Sequence, residues 1–253
     1  MNMSPFLRNW RKLAGALAIL LIGYAWGHLA VTRDVFPYPQ IAAIRDTATG
    51  GGVAERPPYE REPPLANREI AELFEHHAKP ADIVIVGDSI LARVEWRDLL
   101  PEFEVANRAI AGDYAVWLSR RVEPIIATKA DVAVILIGIN DAVADRSARA
   151  IHDDIATTAS ALQQSGMDVI ILSPLPCTGS APHCVDANRT IAELNRLLEK
   201  TPGRGARYLD LRSTLAPKGV LLDRYAADSV HLNREGIEVV AEAISSAAQS
   251  NPS

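Results

Sequence analysis

Only two cysteines, Cys177 and Cys184, occur in the 253 residues, and beyond His183 no four-ligand spacing of cysteine and histidine surrounds them. No metal site is therefore expected. Gly179 and Pro182 lie between the two, which suits a loop stapled by a disulfide in an oxidising compartment, with two unpaired thiols as the alternative. Basic charge is also short: 26 Lys+Arg stand against 31 Asp+Glu, for a formal charge of -5. An acidic surface lacks the counterion-releasing cations that dominate nucleic-acid binding, so no nucleic-acid partner is expected. Neither G-x-G-x-x-G nor G-x-x-x-x-G-K-[ST] occurs, so the glycines form no nucleotide cradle. Internal repeats are missing too, which removes solenoids and propellers. What remains is a hydrophobic content of 48% with 23% charged residues, the balance of a globular protein and not of a disordered one.

One local bias interrupts that balance. From Leu13 to Val31 the chain reads LAGALAILLIGYAWGHLAV, preceded by Arg8, Arg11 and Lys12. A helix needs ~20 apolar residues to cross the hydrocarbon core, and a basic flank stays on the cytoplasmic side. Residues 13–31 are accordingly expected to form a transmembrane signal-anchor helix, with 1–12 cytoplasmic and the remainder on the extracytoplasmic, periplasmic side. The alternative is a cleaved secretory signal, for which Ala25-Trp26-Gly27 is a passable site. Either way the rest of the chain is exported. Those first 31 residues hold three of the 26 Lys+Arg and no acid, so the exported part has 23 basic and 31 acidic residues, a charge of -8.

Between Thr32 and Leu65 come Pro37, Pro39, three glycines at 50–52, Pro57-Pro58 and Pro63-Pro64. This composition resists helix and strand and reads as a linker, leaving 66–253 as one domain. Ala66–Ala78 has the spacing of an amphipathic helix, with Ile70, Leu73 and Phe74 on one face. Beyond it, apolar runs at Ile83–Val86, Phe103–Ala106, Val132–Ile137, Val169–Leu172 and Tyr208–Leu211 are predicted strands. The predicted helices are about Tyr114–Thr128, Ser147–Gln164, Asp186–Lys200 and Arg234–Ala248. Strands apolar throughout, alternating with helices, imply a parallel sheet covered on both faces: an α/β fold whose functional residues gather beyond the strands' C-terminal ends.

Four short blocks occupy such positions or a late loop: Gly87-Asp88-Ser89-Ile90, Asn107 to Asp113, Gly138-Ile139-Asn140-Asp141 and Asp228-Ser229-Val230-His231. Serine is a weak nucleophile until a base takes its proton. His231 can be that base, and Asp228, three residues earlier, can fold back to bind its Nδ1–H and fix the tautomer. A tetrahedral intermediate also needs donors at its oxyanion, and the N–H groups of Ser89 and Gly112 and the side-chain amide of Asn140 can supply them. Taken singly, Gly112 reads as a turn glycine, Asn140 as a cap, and Asp228 with His231 as surface residues.

Together and in this order the blocks resemble those of the SGNH (GDSL-type) hydrolases, over about Asp82 to Ser246. That resemblance implies a three-layer α/β/α sandwich on a five-stranded parallel sheet, of flavodoxin-like topology. It also implies Ser89 as nucleophile, Gly112 and Asn140 completing the oxyanion hole, Asp228 and His231 as acid and base, and no cofactor. Two departures are visible: Ile90 stands where leucine is usual, and Ala109-Ile110-Ala111-Gly112 has fewer glycines than relatives often have, which narrows the oxyanion surroundings. The unrelated nucleophile elbow G-x-S-x-G is absent.

The expected activity is hydrolysis of a short acyl ester, O-acetyl foremost, on envelope or secreted carbohydrate. The segment from Ser89 to the second strand is too short for a large lid. Alternatives are acyl transfer to a glycan hydroxyl, lipase or thioesterase action, and an inactive membrane-tethered glycan-binding module. The Cys177–Cys184 loop should border the crevice. Tyr114 and Trp117 either stack on a sugar or belong to the core.

Overall fold

Runs of isoleucine and valine build a five-stranded sheet in the computed structural model, which describes residues 56–179, 184–203 and 205–250. Strands β1 (Ile83–Gly87), β2 (Val105–Asn107), β3 (Val132–Leu136), β4 (Asp168–Leu172) and β5 (Arg207–Leu209) lie in the order β2-β1-β3-β4-β5, every neighbouring pair parallel. β-branched side chains suit a pleated surface, and cover on both faces explains why β1 and β3 show no polar alternation: all their residues are buried. Gly87 ends β1 where a Cβ would stand 2.1 Å from the carbonyl oxygen of Leu136 in β3. Gly87→Ala must therefore push the two central strands apart, and it is expected to lower stability by about 3 kcal/mol. A denaturation midpoint equal to that of the wild type would refute this.

The chain leaves β1 for β2 on one side and then returns across β1 to reach β3 on the other. The reversal opens a crevice at the C-terminal ends of β1 and β3, the usual ligand position in open parallel sheets. Four long helices accompany the strands: α1 (Leu65–His76), α2 (Ala148–Gln164), α3 (Cys184–Lys200) and α4 (Arg234–Gln249). Local chemistry starts two of them, since Ser147 accepts from the Ala150 N–H and Asn233 from the Gly236 N–H. Helix α2 packs on α3, and α4 packs on the turn Trp96–Leu99. The right-handed crossover that parallel strands favour assigns these two groups to opposite faces, in keeping with the burial of β1 and β3 on both sides.

Three features of the structure were not given by the sequence reading. Tyr114–Thr128 is not one helix but two turns, Ala115–Leu118 and Glu123–Ile126. Pro124 is the cause: inside a continuous helix its ring would strike the Arg120 carbonyl, so the helix restarts with the proline in its first turn. Helix α1 stands where the spacing placed it, yet most of its apolar stripe is exposed. Leu65, Ile70 and Leu73 are 62%, 37% and 57% exposed, and only Phe74 is covered, with the Arg108 guanidinium 4.8 Å from its ring centre. Finally, the compact unit begins at Arg56, inside the expected linker. The Trp117 indole donates to the Arg61 carbonyl at 3.1 Å, which docks that stretch onto the domain. The expected membrane helix, 13–31, lies outside the described residues, and among those described no helix is long and apolar enough to cross a membrane.

Candidate active site

β1 delivers Ser89 into the crevice as the first residue of a single helical turn, Ser89–Ala92. Asp88 caps that turn by accepting the Ile90 N–H at 3.0 Å. The first amides of a helix have no intrahelical acceptor, and among the described residues the Ser89 N–H has no partner. The residue is nearly buried, at 8% exposure.

Ser89 Oγ lies 2.8 Å from His231 Nε2, across 142 positions of sequence. On the other side of the ring, Nδ1 is 2.7 Å from Asp228 Oδ2. Such a contact with a carboxylate requires the proton on Nδ1, which leaves Nε2 to accept from the serine. A tight loop holds the pair: the Ala227 N–H donates to the His231 carbonyl at 2.8 Å, and Asp228 Oδ1 accepts the Val230 and His231 N–H groups at 2.8 and 2.7 Å. Partial burial pushes the Asp228 carboxyl up, but those hydrogen bonds and the imidazole outweigh it, so its pKa sits below the ordinary carboxylate value.

The second and third blocks are hung on this centre by hydrogen bonds. The Ile110 N–H donates to Gly87 O at 2.9 Å, and Asn140 Nδ2 donates to Asp113 O at 3.0 Å. One proton of the Asn140 amide is thereby fixed and the other is left available. Gly112, between these anchors, has φ +77°, a left-handed conformation that favours glycine, and its N–H has no partner among the described residues. Asn107 ties the first two blocks together, donating to Leu91 O and Val94 O at 3.1 and 3.3 Å while accepting the Ala109 N–H. Of the two alanines before Gly112, Ala109 is buried in the core and Ala111 is exposed.

Beneath the centre lie three buried carboxyls that sequence reasoning passed over: Asp88, Asp113 and Asp141. Their signal was visible, because each stands beside a functional residue of its block. Asp113 is held by Arg121 at 2.5 Å, and Asp141 by Arg146 at 2.9 Å and by the Ala115 N–H at 3.0 Å. Asp88 has no cation, and its Oδ2 has no hydrogen-bond partner. Burial raises the Asp88 carboxyl from 3.8 to about 7, against the pull of the Ile90 N–H and with the help of Asp141 and Asp113. Burial likewise raises Asp141 to about 6 and moves Asp113 upward despite Arg121.

The folded state thus binds protons that the unfolded chain releases above pH 4. Stability from this source is complete below the unfolded pKa and is lost as pH climbs through the folded one, at up to about 1.4 kcal/mol per pH unit for each proton. Asp88→Asn keeps the acceptor for Ile90 and removes the titration. Its denaturation midpoint should therefore change less between pH 5 and 8 than that of the wild type, and parallel profiles would exclude Asp88 as the group responsible.

Cys177 and Cys184 are disulfide-bonded, with Cα atoms 5.5 Å apart. The Thr178 N–H donates to Ser229 O at 2.9 Å, so the stapled loop does border the segment carrying Asp228 and His231. Trp117 is buried and meets Tyr114 edge to face, ring centres 4.6 Å apart. Among the described residues no cluster of three or more His, Cys, Asp or Glu is arranged to hold a metal ion.

Known structures share this architecture. A GDSL-like lipase from Bacteroides thetaiotaomicron VPI-5482 superposes with a TM-score of 0.59 at 22% identity, over 72% of this chain and 97% of its own. The acetyl xylan esterase AlAXEase gives a TM-score of 0.52 at 21% identity, over 65% and 98%. Axe2, an acetylxylan esterase from Geobacillus stearothermophilus, gives 0.51 at 20% identity, over 69% and 96%. No curated protein matches the sequence. The sequence profile of the GDSL-like Lipase/Acylhydrolase family matches residues 85–239, a span that runs from the strand delivering Ser89 to the helix after His231. The chain belongs to that family of ester-hydrolysing enzymes.

Proposed function

We propose that the chain hydrolyses short acyl esters, O-acetyl foremost, through an acyl-Ser89 intermediate. Ser89 Oγ attacks the carbonyl carbon as its proton passes to His231 Nε2, and Asp228 stabilises the imidazolium. The carbonyl oxygen becomes an oxyanion that receives the Ser89 and Gly112 N–H groups and the free Asn140 amide proton. The imidazolium then gives its proton to the departing alcohol. Water, deprotonated by the same nitrogen, releases the acid and restores the serine.

The observation carrying this reading is the unbroken Ser89–His231–Asp228 hydrogen-bond chain, at 2.8 and 2.7 Å. A short acyl group is favoured because only two four-residue turns, Ser89–Ala92 and Trp96–Leu99, lie between β1 and β2, so this segment is too short to form a large lid over a lipid chain. Carbohydrate esters are favoured by the likeness to acetyl xylan esterases. The apolar run at 13–31 behind its basic flank supports anchorage in a membrane, with the catalytic unit on the outer, periplasmic side.

A fluorophosphonate should label Ser89, and the protein should release acetate from acetylated sugars. Cleavage of long-chain lipid esters with no acetate release would overturn the substrate class. Faster formation of a new sugar ester than of free acid would make the protein a transferase.

A further inference from the structure

A groove of about 350 Å³ opens beside Ser89 and His231, between the turn after β1 and the start of α4. Its floor is apolar, with Ile90, Val94, Leu99, Leu232 and Ile237 among its lining. Two guanidinium groups stand on it, Arg93 and Arg234. Arg234 is occupied, paired with Glu238 at 2.9 Å. The other acid on the groove, Asp228, is already committed to His231 and two backbone amides. The Arg93 backbone N–H donates to the Leu91 carbonyl, but its guanidinium has no hydrogen bond or ion pair with any described residue, although the chain carries more acids than bases. A cation left without a partner on an acidic protein, at the mouth of its reactive centre, is placed to meet a negative charge brought by the substrate.

The direction of the reaction says which part of the substrate that is. His231 Nε2 must return its proton to the alcohol oxygen, so this oxygen sits on the imidazole side, whereas the carbonyl oxygen turns toward Gly112 and Asn140. Neither of those two residues lines the groove, and His231 does. We propose that the groove is the alcohol subsite and that it selects alcohols combining an apolar face with an anionic group, such as acidic sugars, through Arg93. This rests on the esterase reading above and narrows it.

The test compares two acetyl esters with the full chain: 4-acetoxybenzoate, whose alcohol carries a carboxylate, and its neutral amide, 4-acetoxybenzamide. The wild type should favour the anion by about tenfold in kcat/KM at low salt, and the preference should shrink as ionic strength rises. In Arg93→Gln the ratio should fall to about one, and Arg93→Lys should keep part of it, because a point charge without the planar fork still attracts. Arg149→Gln, an equal charge change on the exposed face of α2, should keep the wild-type ratio. A wild-type ratio near one, or one undiminished in Arg93→Gln, overturns the proposal.

If neither ester is hydrolysed, it is the esterase reading that fails, and binding to Ser89→Ala still decides the groove. There 4-hydroxybenzoate should bind more tightly than 4-hydroxybenzamide in NMR titrations and shift the Arg93 side-chain resonances. Equal binding overturns the proposal by that route as well.

Discussion

His231→Ala is expected to lower kcat/KM for short acyl esters by about 10⁴-fold or more, and Ser89→Ala by a similar factor. The two act through one proton transfer across a 2.8 Å contact, so the double variant should be scarcely worse than either single one. Asp228→Asn should cost less than removal of the imidazole. The loop still holds the ring, but a carboxamide neither fixes the Nδ1–H tautomer nor balances the imidazolium. Stopped assays on pure protein, with circular dichroism to show the fold intact, give the comparison. Additive losses in the double variant would mean that serine and histidine work in separate steps.

Asn140→Ala carries the second large effect, a drop of about 10²- to 10³-fold in kcat with little change in KM. An oxyanion donor gains its value only when charge develops, so ground-state binding is largely spared. A structural component must be separated, since Asn140 also donates to Asp113 O at 3.0 Å. A denaturation midpoint reads the structural role apart from the kinetic one, and Asn140→Asp, which can donate at neither place, adds a second check on activity. It keeps the side chain's size but offers an acceptor and a charge where a donor is needed, so it should lose at least as much activity as alanine. An aspartate variant that retains most activity would remove Asn140 from the oxyanion hole.

Much of this candidate site was legible in the sequence because each of its residues is fixed by a local rule. Ser89, Gly112 and Asn140 follow strands, and parallel strands bring their C-terminal ends to one edge. Asp228 and His231 are three residues apart, so their contact needs only a tight loop. The central strands were legible for a related reason: Ile83–Val86 and the run from Val132 are apolar without alternation, as two-sided burial demands. Sequence reading was least successful where a single residue interrupts a pattern or where burial depends on tertiary partners. Pro124 divides a segment whose periodicity alone reads as one helix. In α1, Ile70 and Leu73 carry a core-like spacing yet stay exposed, because periodicity names a face and not what covers it. The pairing of Asp113 with Arg121 and of Asp141 with Arg146 depends on how separate segments come together, and spacing along the chain does not carry it.

Asp113 and Asp141 each have a guanidinium partner, Arg121 and Arg146, the latter shared with Asp154, whereas the buried Asp88 beside Ser89 has none and stays uncharged only while it retains its hydrogen. Alkaline solution removes it and installs an anion below the point where the transition state itself turns negative, a like-charge arrangement that slows the step. The enzyme should therefore lose turnover on the basic side of neutrality. Asp88→Asn, unable to ionise, should hold its rate there.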